Sequence, residues 1–341
     1  MKTRSDRKRR VSLGEIAEAA GVSKMTVSRV LRGSGGFSEE TRLKVMREVK
    51  RVGYVPNRLA AAFGTETAST LVGVCVPRLS SPFFGQLLES VDRSFGRLGY
   101  QTMIGSHNMS PGDEEIWLRG LLSWRPAGVL LSSRQHSKST LELLGDAAIP
   151  IVEFWDLNTS PLDLSVGFNQ FDSGHEMGRF AISRGRSRPA LLGAIGDRPG
   201  RTKGPERFDG FSEAMRSSGV PIITVELLKD LPGFYAGYYG TETLLQRDKR
   251  IDTIYCQDDT MAIGALAYCE RCGIRVPEDI GIAGWGGHEA ASILSRRLTT
   301  TAVPTHQIGK LSAEHLVGRL RGEPVDDIAV VPTRLIPGNT I

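Results

Sequence analysis

The sequence predicts an all-α helix-turn-helix headpiece followed by an α/β body of two lobes. Three observations carry that expectation. Two short apolar-periodic segments flank Gly21 near the start of the chain, positive charge is concentrated in the first 60 residues, and apolar strand-like runs alternate with helical patterns from residue 70 onward. At 341 residues the chain exceeds the size that one hydrophobic core usually serves, and the residues beyond the headpiece are numerous enough for two lobes.

Three helices are expected in the headpiece. The first lies over 13–20 and the second over 23–31, with Gly21 supplying backbone freedom for a sharp turn and Ser23 capping the second segment. Ile16, Ala17, Ala20, Val22, Val27 and Val30 then face inward. Lys24, Met25, Thr26, Ser28 and Arg29 fall on or near the outer face of the second helix, where they are candidates for reading a DNA major groove. Ser38-Glu39-Glu40-Thr41 starts a third helix over 39–52, whose Leu43, Val45, Met46, Val49 and Val52 are expected to close a small core.

Charge points the same way. Residues 1–60 hold 15 Lys and Arg against 6 Asp and Glu, a net of +9, while the remaining 28 against 32 leave −4. A polyanion partner for the headpiece and an ordinary cytoplasmic surface for the body account for this asymmetry. Lys2, Arg4, Arg7, Lys8, Arg9 and Arg10 precede the first helix as a basic arm that adds nonspecific DNA affinity.

The words Leu13-x-x-Ile16-Ala17, Ala20-Gly21-Val22-Ser23, Thr26-Val27-Ser28-Arg29-Val30-Leu31, Ser38-Glu39-Glu40-Thr41 and Gly53-Tyr54-x-Pro56-Asn57 resemble the DNA-binding headpiece of the LacI/GalR family of transcriptional regulators. That resemblance implies a headpiece over 1–57, with Asn57 among its DNA contacts. It also implies a hinge helix and linker over 58–69 that orders on DNA and wedges an apolar side chain into the minor groove. The aligned wedge is Phe63, where most relatives carry Leu, and Phe is an accepted wedge for opening a base step. The Ala-rich stretch from Arg58 to Phe63 is too short to be a stable helix alone, so it folds only with help.

In the body, strands are expected over 71–76, 101–105, 128–131, 149–154, 165–168, 190–194, 222–227, 253–256 and 280–285. Helices are expected over 82–98, 113–123, 172–183, 207–217, 236–245 and 260–272. Such alternation argues a parallel sheet wound with helices. The words Pro82-Phe83-Phe84, Arg207-Phe208-x-Gly210-Phe211, Asp258-x-x-Met261-Ala262-x-Gly264-Ala265 and Val276-Pro277-Glu278-Asp279-Ile280 resemble the same family's two-lobed, periplasmic-binding-protein-like effector domain. By that resemblance the domain spans 70–341, with lobe 1 at about 70–160 and 292–324 and lobe 2 at about 161–291 and 325–341.

The resemblance places an effector between the lobes and nominates Arg207 and Asp258 first. Arg207 offers a planar fork for a carboxylate or vicinal hydroxyls, and Asp258 accepts from hydroxyls, kept ionised by the nearby cation. Phe234 suits stacking on a ring. Asn169, Ser81, Phe83 and Arg78 are further candidates, and Lys203 is a candidate second cation for an anionic ligand. Residues 265–300 most resemble the subgroup that answers to gluconate and related sugar acids, although Trp285-Gly286-Gly287-His288 stands where many relatives carry acids after the aromatic.

These readings imply a repressor that binds a palindromic operator as a homodimer, with a sugar or sugar acid controlling its affinity. A partner protein as the controlling signal and a solute-binding protein for transport are the alternatives. The second would need an export signal and no basic headpiece. No apolar run approaches a membrane span, so a cytoplasmic protein is expected. No cofactor or metal is expected, and no catalytic set of residues is evident. Cys75 and Cys256 read as buried thiols, and Cys269-x-x-Cys272, at a helix end with no second pair, reads as packing. The chain ends without a heptad tail, which argues a dimer and no coiled-coil tetramer.

Overall fold

A computed structural model describes residues 12–32, 35–52, 69–107, 110–132, 134–194, 206–228, 231 and 233–341. The chain forms two compact units, residues 1–68 and residues 69–341. The basic arm through residue 11, Asn57, the hinge stretch 58–68 with Phe63, and Lys203 lie outside the described residues.

The first unit contains α1 (Leu13–Ala20), α2 (Lys24–Arg32) and α3 (Glu39–Val52). A capping box opens α1: the Glu15 amide donates to Ser12 Oγ while the Glu15 carboxylate accepts from the Ser12 amide. Gly21 ends α1 at φ 66°, a left-handed conformation that a Cβ disfavours, and this turn sets the direction of α2. Ile16, Ala17, Val27, Val30 and Val45 form the core of the unit. Two expectations fail here, because Leu43 and Met46 are exposed. A helix as short as α2 covers only one stripe of α3, and Val45, Val49 and Val52 supply it.

The first lobe of the second unit is built on a parallel sheet. Its strands are β1 (Leu71–Val76), β2 (Gln101–Ser106), β3 (Gly128–Leu131), β4 (Ile151–Asp156), β5 (Leu164–Phe168) and β11 (Ile328–Val330), in spatial order β11-β5-β4-β3-β1-β2. Helices α4 (Pro82–Arg97), α5 (Pro111–Leu122), α6 (Lys138–Ala147) and α12 (Thr305–Leu320) belong to this lobe. The second lobe has the parallel sheet β7-β6-β8-β9, made of β6 (Pro189–Ala194), β7 (Thr224–Leu228), β8 (Thr253–Cys256) and β9 (Gly281–Ala283). Its helices are α7 (Gln170–Ser183), α8 (Glu206–Ser217), α9 (Gly233–Arg247), α10 (Asp259–Arg271) and the short α11 (Glu289–Ile293). An antiparallel pair, β10 (Thr300–Ala302) with β12 (Arg334–Ile336), adjoins β9 through an Ala283–Thr299 bridge.

The exchange points between the lobes differ from those expected near 160, 292 and 324. The chain leaves the first sheet after Phe168, returns to that lobe after Ala302 and leaves it again after Val330. All of β5 is buried and pairs in parallel with β4, so it extends the first sheet rather than opening the second. Leu298 packs with Ala291 in the second lobe's core, which keeps the segment after α11 with that lobe.

Three helices escape an apolar pattern search: α6, the five-residue α11 and α12. The packed faces of α12 and α6 carry Gly309, Ser312 and Ala313, and Thr140 beside Leu144. Small and hydroxylic residues give little hydrophobic periodicity although they bury well. Cys75, Cys256 and Cys269 are buried, Cys272 is exposed, and all four are free thiols. Among the described residues no helix is long and apolar enough to cross a membrane.

The first lobe buries a charged cluster that its pattern did not announce. His136 Nδ1 lies 2.8 Å from Glu114 Oε2, and Nε2 lies 3.7 Å from Glu153 Oε1, with all three side chains enclosed. Asn158 Nδ2 and the Leu162 amide donate to Glu153 at 2.8 and 2.7 Å. Burial opposes a charge on the imidazole, but the hydrogen bond to Glu114 and the negative charge of Glu114 and Glu153 outweigh it and raise the His136 pKa to about 9. A raised folded-state pKa contributes stability that is complete below the ordinary histidine range and lost as pH rises through 9. Wild-type melting temperature is therefore expected to exceed that of His136→Gln by several degrees at pH 7, with the gap closing by pH 10 in calorimetric scans. A gap that stays constant across that range would refute the charged imidazole.

Candidate functional site

The first candidate is the outer face of α2. Ser23 caps it, accepting from the Thr26 amide at 3.0 Å, with the Thr26 hydroxyl 2.9 Å from Ser23 Oγ. Thr26, nominated as a reading residue, thus uses its hydroxyl in the cap and is half-buried, as is Ser28. Lys24, Met25 and Arg29 are exposed. Lys24 lies across the start of α1, since a Cβ at Gly14 would stand 2.8 Å from its Cε.

The charge on α2 differs in kind from that on α3. On α3, Arg42 pairs with Glu39, Lys44 with Glu40 and Arg51 with Glu48. No acid occurs in α2, and among the described residues Lys24 and Arg29 make no ion pair. An acid-free helix face of cations and an exposed thioether suits phosphate oxygens and base edges.

The second candidate is the seam of the two lobes, where the C-terminal ends of strands from both sheets converge. Trp285, just beyond β9, reaches into a set of first-lobe rings. Its centroid is 5.5 Å from Phe83, 5.4 Å from Trp155 and 5.6 Å from Phe168. Phe83 and Trp155 meet edge to face at 4.4 Å, and Trp155 holds φ 86°, an uncommon conformation for a residue with a large side chain. The indole Nε1 of Trp285 donates to Ser173 Oγ at 2.9 Å, which fixes the ring from its own lobe.

Arg207 lies beneath this seam and is 4 % exposed. The crossing of α7 and α8 carries it there. A Cβ on Gly174 would stand 1.8 Å from the Arg207 carbonyl oxygen, and one on Gly210 would stand 1.9 Å from that of Phe171, so only glycines permit this approach. Arg207 Nη1 donates to Gln170 Oε1 at 2.6 Å and Nη2 to the Gln257 carbonyl at 2.6 Å. Its guanidinium carbon is 4.2 Å from the Trp285 ring centroid, a cation–π contact.

Asp258 follows Gln257 directly and caps α10, accepting from the Met261 amide at 2.9 Å. Burial pushes its carboxyl above the usual carboxylate range, while the Met261 amide and Arg207 pull the other way with less effect. Burial therefore acts against the expectation that the nearby cation keeps this carboxyl ionised. Both residues belong to the second lobe, so they form no bridge between lobes.

The other nominations spread around this centre. Asn169 is exposed and caps α7 by accepting from the Asp172 amide at 3.2 Å, and its neighbour Gln170 holds Arg207. Ring contact joins Phe83 to Trp285, and so to the ring on which Arg207 stacks. Ser81 precedes α4 without a side-chain cap bond, Arg78 is exposed, and Phe234 is exposed in the first turn of α9.

Sequence reasoning noted Trp285 without giving it a role at the site, and passed over Trp155, Arg134, Asp156, Glu206 and Asp259. Asp259 is 1 % exposed, accepts from Thr300 Oγ1 at 2.5 Å and from the His288 amide at 2.6 Å, and donates its own amide to the Trp285 carbonyl at 2.9 Å. It thereby holds the loop that presents Trp285. Burial moves its carboxyl up to about 6. Only the run of aromatic and acid at strand ends, Trp155-Asp156, was available as a sequence signal for this set.

Residues 12–57 match bacterial regulatory proteins of the lacI family, and residues 179–341 match the periplasmic binding protein-like domain. The chain is 33% identical over 322 residues to the HTH-type transcriptional regulator GntR of Escherichia coli strain K12, covering 94% of this chain and 95% of that one. A LacI-family transcriptional regulator from Silicibacter pomeroyi superposes with a TM-score of 0.88 at 32% identity, over 97% of this chain and 99% of that chain. The lac repressor dimer bound to operator and the anti-inducer ONPF shares the fold, with a TM-score of 0.84 at 22% identity over 97% of this chain and 99% of that chain.

Removing Arg29 tests the α2 face. Arg29→Ala is expected to weaken binding to a duplex selected from a random pool by about tenfold or more, the cost of one lost base or phosphate contact. Fluorescence anisotropy reads the change, and unaltered affinity at matched salt would exclude Arg29 from the interface.

Proposed function

Because the chain belongs to the LacI family of bacterial regulatory proteins, a family of DNA-binding transcriptional regulators rather than enzymes, we propose that it is a repressor controlled by a sugar acid, of which gluconate is the first to test. The headpiece binds DNA and the body binds an effector. Members of this family bind operator DNA and small effectors as dimers. In our reading two copies of this chain place their α2 helices in successive major-groove half-sites of a palindromic operator, with Lys24, Met25, Ser28 and Arg29 at or near the base edges. Asn57 contacts the backbone, and Phe63 wedges the minor groove at the centre.

The observation that carries the ligand reading is Arg207. A guanidinium enclosed at the seam of two lobes, stacked on Trp285 and adjacent to the Asp258 carboxyl, offers donors and an acceptor at a place whose geometry changes whenever the lobes move. Arg207 and Asp258 serve the hydroxyls of a polyhydroxy acid, and Phe83, Phe234, Asn169, Ser81 and Arg78 surround it. Ligand binding controls operator affinity only through a difference in affinity for two lobe arrangements.

Calorimetric titration of the purified protein with gluconate, neutral hexoses, sugar phosphates and purines tests the ligand class. Gluconate is expected to bind and to shift operator affinity, while a hit confined to another class, or none, would overturn the sugar-acid reading. Arg207→Lys keeps the charge and loses the planar fork, so it is expected to weaken the effector by about tenfold or more while operator binding and dimer mass persist. An unchanged response in that variant would remove Arg207 from the site.

A further inference from the structure

A second guanidinium stands at the same seam and is held quite differently. Arg134, in the loop after β3, belongs to the first lobe. Its Nε lies 2.9 Å from Asp156 Oδ2 at the end of β4, its Nη1 donates to the Leu157 carbonyl at 3.2 Å, and its Nη2 bonds the carboxylate of Glu206. Glu206 opens α8 in the second lobe and immediately precedes Arg207. Arg134 therefore spans the lobes, with one carboxylate from each.

The two acids are held unequally. Asp156 has 18 % of its side chain exposed and Glu206 has 50 %. Burial pushes the Asp156 carboxyl up to about 6, Arg134 pulls against that, and the Glu206 charge adds to it. Two carboxylates thus crowd one cation. A half-exposed carboxylate regains water when it lets go, whereas a buried one does not, so Glu206 is the partner that can be exchanged.

Resting on the reading of the seam as the effector site, we propose that Arg134 is the residue that selects an acid ligand, and that the ligand's carboxylate binds it by replacing Glu206 at Nη2. Recognition and release of the interlobe contact then become one event. A planar fork already oriented by Asp156 and the Leu157 carbonyl presents Nη2 to the incoming carboxylate without rearrangement. A neutral polyol has no group able to compete with a carboxylate for that fork, so it leaves the Arg134–Glu206 bond in place. Glu206 acts as a built-in competitor, and its neighbour Arg207 is left to the ligand hydroxyls.

The full-length protein and the variants Arg134→Gln and Glu206→Gln, each checked for folding by circular dichroism and for operator binding, are compared by calorimetric titration with gluconate. Arg134→Gln is expected to lose about tenfold or more in gluconate affinity, the effect of removing a charge-assisted bond. Glu206→Gln, with its competitor neutralised, is expected to bind gluconate several-fold more tightly than wild type. Gluconate affinity unchanged in Arg134→Gln, or unchanged or weakened in Glu206→Gln, overturns the proposal while leaving the sugar-acid reading standing. Wild-type protein that binds no gluconate overturns both, which separates the two failures. Should Arg134→Gln fail to fold, the sign of the change in Glu206→Gln is sufficient by itself: tighter binding supports the exchange and weaker or equal binding overturns it.

Discussion

The body depends on one side chain crossing from one lobe into the aromatic set of the other. Trp285 is anchored in its own lobe by Ser173 and by the Asp259 carboxylate, which holds the loop around it, and its ring lies among Phe83, Trp155 and Phe168. Aromatic edges and faces tolerate sliding and tilting at little cost, because their attraction is spread over many weak contacts. A seam built this way can join two lobes and still let them rearrange. The guanidinium of Arg207, stacked on the same ring, shares any movement of that ring.

Polar groups at the seam obey a different logic. Enclosed Arg207 is bonded by Gln170 and the Gln257 carbonyl, while the more accessible Arg134 reaches across to Glu206. Deep polar contacts fix position because leaving a buried donor unsatisfied is costly; rim contacts exchange with water and ligands more readily. The His136 cluster with Glu114 and Glu153, sealed inside the first lobe, stands at the fixed extreme.

Charge divides the labour between the two units. The first 60 residues carry +9 and the rest −4, so attraction to DNA is confined to the part that must touch it. Within the headpiece the acids of α3 pair Arg42, Lys44 and Arg51, while α2 carries none and leaves Lys24 and Arg29 without an ion pair among the described residues. A body of mild negative charge does not compete for the same phosphates.

Much of this was legible in the residues themselves. Gly21 and Ser23 announced the turn and cap of the reading helix because both act within a few residues of chain, and the alternation from residue 70 announced parallel sheets because buried strands are continuous apolar runs. Arg207 and Asp258 were nominated through resemblance in local words. Tertiary structure alone decided what depends on distant partners: that β5 joins the first sheet, that α12 buries a face mixing Ile308, Leu316 and Val317 with Gly309, Ser312 and Ala313, that Leu43 and Met46 face outward, and that Asp259 holds the Trp285 loop. Arg134 and Glu206 are 72 positions apart, and neither carries a mark of its own in the sequence. Local motifs reveal the elements because short-range sterics and hydrogen bonds build them, whereas a contact between lobes exists only after both sheets have formed and brought their strand ends together.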